Sequence, residues 1–119
     1  MGCHDINSSA HSLQSIVSST YQSRAFRKVN REVYIVKQNG FDHHSENAVS
    51  GLFKEANNAL DDFVTELKNQ GLWDSTVIIL GSDFGRSMNP NSNGGTDHAW
   101  GGNYFMAGGS IKGGQILGR

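Results

Sequence analysis

Cysteine is almost missing from this chain. Cys3 is the only one among 119 residues, which excludes an intrachain disulfide. Apolar runs are short, and none approaches the roughly 20 residues that a membrane-spanning helix needs. Ten lysines and arginines stand against eleven acidic residues. The basic residues neither cluster nor interleave with aromatics, so nothing points to nucleic acid as a partner. A charged segment leading into an apolar stretch is also lacking, so no signal peptide is read and the compartment stays open. At Met1-Gly2-Cys3 the myristoylation pattern fails, because Ile6 stands where Ser or Thr is required. Asn7-Ser8-Ser9 is a glycosylation sequon, a triplet that is common by chance. No internal repeat or linker divides the sequence.

What is present fits one domain or a piece of one. Hydrophobic residues make up 36% and charged residues 18%, a polar composition but not that of a disordered chain. Most of the 15 glycines lie between Gly81 and Gly118, which predicts a C-terminal part made mostly of loop. Leu13, Ile16, Val17 and Tyr21 predict an amphipathic helix over about 10–27. Val33-Tyr34-Ile35-Val36 predicts a strand buried on both faces. The clearest element is a helix over about 48–70. Leu52, Phe53, Ala56, Ala59, Leu60, Phe63, Val64 and Leu67 follow the helical period there, and Gly71 suits a left-handed cap. Thr76–Leu80 predicts a second buried strand, and Tyr104–Ala107 a third, short one. Strand, helix and buried strand in that order imply a right-handed parallel crossover and an α/β class. So narrow a sheet is hard to cover from within this chain, which suggests a fragment of a larger domain.

Ligands of open parallel sheets bind beyond the carboxyl ends of the strands. Three loops are expected at that edge. They are Gly40-Phe41-Asp42-His43-His44-Ser45, Gly81-Ser82-Asp83-Phe84-Gly85-Arg86 and Gly95-Thr96-Asp97-His98-Ala99-Trp100-Gly101-Gly102. Three of the five histidines fall in them. A carboxylate and an imidazole two residues apart, as in Asp42 and His44, can hold one divalent metal from a loop. Asp97-His98 is a second such pair. Mixed histidine and aspartate ligation suits zinc, manganese or iron(II) better than calcium. Asp83 directly follows a strand, where a nearby metal would favour its ionised form. The competing readings are plain: Asp42 can cap a turn, and an Asp beside a His is commonly a surface hydrogen bond. His4 and His11 lie outside the pattern and read as solvated.

Two other motif readings fall away. Asp83-Phe84-Gly85 matches a kinase magnesium motif, but no His-Arg-Asp catalytic loop or glycine-rich phosphate loop precedes it. Gly108-Gly109 and Gly113-Gly114 lack the lysine-serine ending and the strand-to-helix context of a nucleotide loop.

Five motifs in order resemble the bacterial family catalogued as domain of unknown function 1501, within the alkaline phosphatase-like superfamily. They are Gly40-Phe41-Asp42-His43-His44, Gly71-Leu72-Trp73-Asp74, Ser82-Asp83-Phe84-Gly85-Arg86, Asp97-His98-Ala99-Trp100-Gly101 and Gly108-Gly109-Ser110-Ile111-Lys112-Gly113-Gly114. The resemblance covers about 31–119. It implies an α/β/α sandwich with a mostly parallel sheet, of which residues 1–119 would be a single partial domain. It also implies that Asp42, His44, Asp83 and His98 correspond to metal-site positions, with Asp97 a weaker candidate. Zinc or manganese is the metal expected. Arg86 is placed to hold an anionic ester group bidentately, or equally to pair with a structural carboxylate.

Two departures qualify the correspondence. His43 stands where the family usually has Thr, which leaves His43 and His44 both open as the ligand. Phe84 stands where phosphatases of the superfamily carry a His, which puts a two-metal site in doubt. The nucleophile and a further metal-binding carboxylate of superfamily enzymes lie near an N-terminal strand that this chain does not contain. The expected function is thus the metal-binding part of a hydrolase of phosphate or sulfate esters, inactive as this piece and missing the remainder of its own domain. The rival is a non-catalytic metal-binding or interaction module with a decayed site. A third reading is a structural fragment with no site. Family members are often exported in bacteria.

Overall fold

The computed structural model describes residues 2–7, 26, 28–45 and 49–118. The helix expected over 10–27 and His11 lie outside these, Phe26 apart. The chain forms two compact units, one of Met1–Asp42 with Asn47–Glu66 and one of His43–Glu46 with Leu67–Arg119.

In the first unit, strand β1 (Gly2–Asn7) pairs in parallel with β2 (Glu32–Lys37), in a register running from Gly2 opposite Glu32 to Asn7 opposite Lys37. The sequence reading contained no strand at β1. Gly-Cys-His-Asp-Ile-Asn has neither apolar alternation nor a β-branched run, and its partner supplies the order. β2 alternates between half-buried and exposed positions, so it is not covered on both faces. Tyr34 and Glu32 share a face two residues apart, and the Tyr34 hydroxyl donates to Glu32 Oε2 at 2.9 Å.

Helix α1 (Val49–Asn69) carries the period-3.6 pattern into structure. Val49, Leu52, Ala56, Ala59, Leu60, Phe63, Val64 and Leu67 form its covered stripe. Ala59 and Leu67 are the buried apolar side chains among the described residues. Phe53 departs from the expected stripe. It is mostly exposed, and its ring tilts against Phe41 with centroids 5.2 Å apart. The helix ends in a Schellman arrangement: Leu72 N donates to Leu67 O, Gly71 N donates to Lys68 O, and Gly71 takes φ +67°. A bulkier residue there would strain the left-handed turn that satisfies the last carbonyls.

In the second unit, a 3₁₀ turn at Trp73–Ser75 follows the cap. Leu72 O accepts from Ser75 N, Ser75 Oγ and Thr76 Oγ1. The ammonium of Lys68 lies over the Trp73 ring, 5.7 Å from its centroid. Gly109 N donates to Trp73 O and Ser110 Oγ donates to Asp74 O. The Gly71-Leu72-Trp73-Asp74 motif and the Gly108-Gly109 motif are thus two halves of one hydrogen-bonded joint.

Beyond the turn run β3 (Ile78–Leu80), β4 (Gly85–Arg86), β5 (His98–Ala99) and β6 (Phe105–Ala107). β3 pairs antiparallel with β6, and β4 antiparallel with β5. This corrects the expected fold. In place of an α/β/α sandwich with a mostly parallel sheet, the described residues form one long helix and three two-stranded sheets, two of them antiparallel. β3 takes β6 as its neighbour while β2 takes β1, so the strand–helix–strand segment does not close into a parallel pair. Nor is β3 a doubly buried strand, since Ile79 is 71% exposed. An apolar run records strand propensity, but the covering layers it suggests must come from other elements, and these residues do not supply them. Among the described residues, no helix is long and apolar enough to cross a membrane.

Candidate metal site

The β4–β5 hairpin builds the site. Gly85 and Arg86 pair with Ala99 and His98, and Arg86 N donates to Gly101 O at 2.6 Å. A Cβ on Gly85 would fall 2.6 Å from Gly101 O and 2.7 Å from Ala99 O, so only glycine admits this approach. In the connecting loop, Ser87 N donates to Asp97 O and Ser87 Oγ accepts from Asp97 N. Asn91 Oδ1 accepts from Asn93 N and Gly95 N, closing a turn by its own side chain.

That turn grips the histidine loop. Asn91 Nδ2 donates to His44 O at 2.9 Å and to Asp97 Oδ1 at 2.9 Å. Ser45 and Gly94 form a β-bridge. Gly95 lies against the His44 carbonyl, where a Cβ would come within 2.5 Å of the oxygen. Two loops distant in sequence are therefore held together by backbone and one asparagine. The sequence reading missed Asn91. Its signal was the Asn-x-Asn-Gly-Gly run 91–95, which was read only as glycine-rich loop.

Within this frame His44 and His98 stack with ring centroids 5.1 Å apart, and His98 lies face to face on Phe84 at 4.0 Å. Asp42 precedes the His43–Glu46 segment, so connectivity alone keeps it near His44. One ligand atom from each of Asp42, His44 and His98 lies within 4.8 Å of the other two, and all three residues are exposed. Donors on one zinc or manganese ion sit about 2.0–2.2 Å from it and hence roughly 3–4 Å from one another. A bound ion would have to draw the three atoms closer together. Two imidazoles and one carboxylate are a donor set suited to either metal, so the residues fit the ion.

The other expected site residues take different places. His43 is half-buried and outside the cluster, so His44 is the histidine of that loop that the fold brings to it. Asp83 is exposed and also outside it. The Asp97 carboxylate meets His44 Nδ1 at 3.2 Å. Hydrogen bonds first from Asn91 and then from His44 hold its pKa below the usual carboxylate range. The Arg86 guanidinium donates from Nη1 to Thr96 O at 2.7 Å and lies over the Phe84 ring, 5.0 Å from its centroid.

Fold and site together describe a small mixed helix-and-strand chain with an exposed cluster of two histidines and one aspartate that can hold a metal ion. The family described as "Protein of unknown function (DUF1501)" matches residues 11–119, and the chain belongs to that family. No curated protein and no solved structure matches it.

Proposed function

We propose that Asp42, His44 and His98 bind one divalent zinc or manganese ion, and that the site serves hydrolysis of phosphate or sulfate esters. The observation that carries the proposal is the meeting of three ligand atoms within 4.8 Å on loops far apart in sequence. Three protein ligands leave a coordination position for water or substrate, the pattern of catalytic rather than structural zinc. A bound ion would supply Lewis-acid polarisation of the ester oxygen. Arg86, linked to His98 through Phe84, would hold the anionic group of the ester by charge-assisted hydrogen bonds.

The test is calorimetric titration of the chain with zinc and with manganese, wild type against a double Asp42→Ala, His98→Ala variant. Saturable one-site binding, lost in the variant, supports the site. A folded wild type that binds neither ion sinks it. Turnover of aryl phosphate or aryl sulfate, abolished by the same substitutions, would extend binding to catalysis.

The rival reading, a non-catalytic metal-binding module, draws on Phe84. An apolar ring covers one face of His98 at a position where the superfamily's phosphatases carry a further ligand. Metal binding without turnover would favour it.

A further inference from the structure

We propose that Asp97 is a positioning residue: its carboxylate, anchored by Asn91, holds the ring proton of His44 on Nδ1 and leaves Nε2 as the metal-donor atom. The inference rests on the metal reading above and assigns the tautomer on which that reading depends.

Geometry carries the argument. Asp97 Oδ1 lies 3.2 Å from His44 Nδ1, and the same oxygen accepts from Asn91 Nδ2 at 2.9 Å. An ionised carboxylate only accepts, so the shared proton must sit on Nδ1. In a neutral imidazole the other nitrogen then carries the lone pair that a metal needs. Asn91 makes the arrangement more than a chance surface contact. Its Nδ2 reaches both the His44 carbonyl and the Asp97 carboxylate, while its Oδ1 is fixed by two backbone N–H groups. One side chain thereby sets the height of the His44 backbone and the place of the oxygen that its ring meets. A histidine that donates one nitrogen to a carboxylate and offers the other to a metal is a recurrent outer-shell device, and losing the carboxylate typically costs about 10–100-fold in metal affinity.

The experiment reads imidazole nitrogens by long-range proton–nitrogen correlation NMR in the metal-free, ¹⁵N-labelled chain at neutral pH. The His44 signals are identified by their loss in His44→Gln. Wild type is expected to show the Nδ1–H form. Asp97→Ala is expected to move His44 to the Nε2–H form that free histidine prefers, and to weaken zinc binding about 10–100-fold. Asp97→Asn keeps an accepting oxygen and should recover most of both. Asn91→Ala should fall between Asp97→Ala and wild type. A merely structural Asp97 would change the melting temperature and leave the tautomer alone. An Nε2–H form in the wild type, or an unchanged tautomer in a folded Asp97→Ala, overturns this inference by itself. Failure of the wild type to bind zinc overturns the metal reading and this inference together.

Discussion

Phe84 and His98 lie face to face, with ring centroids 4.0 Å apart and planes 6° from parallel. The guanidinium of Arg86 covers Phe84, 5.0 Å from its centroid. Phe84 is therefore a flat support that restricts how the His98 ring can turn. Ring stacks of this kind contribute about 0.5–1.5 kcal/mol beyond the area they bury. Phe84→Ala is expected to free the ring and lower zinc affinity by roughly 2–10-fold, the equivalent of that energy. Calorimetric titration of the variant measures it, and an unchanged affinity would show that the stack does not preorganise His98.

Gly95 touches the His44 carbonyl so closely that any side chain must displace backbone. Gly95→Ala should therefore part the 91–95 turn from the histidine loop. Overpacking against backbone costs about 1–3 kcal/mol. A lowered urea midpoint and weakened zinc binding are expected together. At Gly113 a Cβ meets nothing within 4 Å, so Gly113→Ala is the matched control and should change neither.

The acidity of Asp97 gives a pH prediction for the metal-free chain. Its pKa is lowered in the fold, chiefly by the Asn91 hydrogen bond. A depressed carboxylate contributes stability that is fully present above its unfolded value, about 3.9, and is lost as pH falls through the lower folded value. Carbon-detected NMR should place the Asp97 midpoint below the ordinary aspartate value, and Asn91→Ala should move it upward. A midpoint unaffected by Asn91→Ala would mean that another group lowers it.

Leu67 is 3% exposed, at the point where α1 meets its cap. Its carbonyl also accepts the closing hydrogen bond from Leu72. Leu67→Ala should remove about 2–5 kcal/mol by lost burial and the cavity left behind. Phe53→Ala, on the exposed side of the same helix, should cost much less. Urea denaturation followed by helical circular dichroism compares the two, and equal losses would contradict the buried stripe described for α1.

Several features were legible in the sequence because they are local. The stripe from Leu52 to Leu67 and the glycine at 71 mark a helix and its end through the period of one turn and one backbone angle. The ordered motifs from Gly40 to Gly114 marked the family. They also named the loops that carry Asp42, His44 and His98. The sheet was not legible in the same way. Ile78–Leu80 looks like a strand wherever it pairs, and nothing in its own composition says that the partner is Phe105–Ala107, running antiparallel, rather than β2. Strand pairing joins residues far apart in the chain, and a short apolar run is compatible with many partners.

The sequence by itself determined the long helix, its glycine cap, the family and the set of candidate metal-ligating residue types. Tertiary structure alone decided which of them meet. It brought His44 rather than His43 to His98, set Asp97 against a histidine ring, and laid Phe84 flat on His98. It also gave Asn91 a role that its loop composition did not announce. The physical reason is one of range. Periodicity and turn chemistry act over a few residues, whereas a ligand cluster depends on distances between loops about fifty residues apart. Those distances are fixed by non-local hydrogen bonds and by backbones that glycine lets approach.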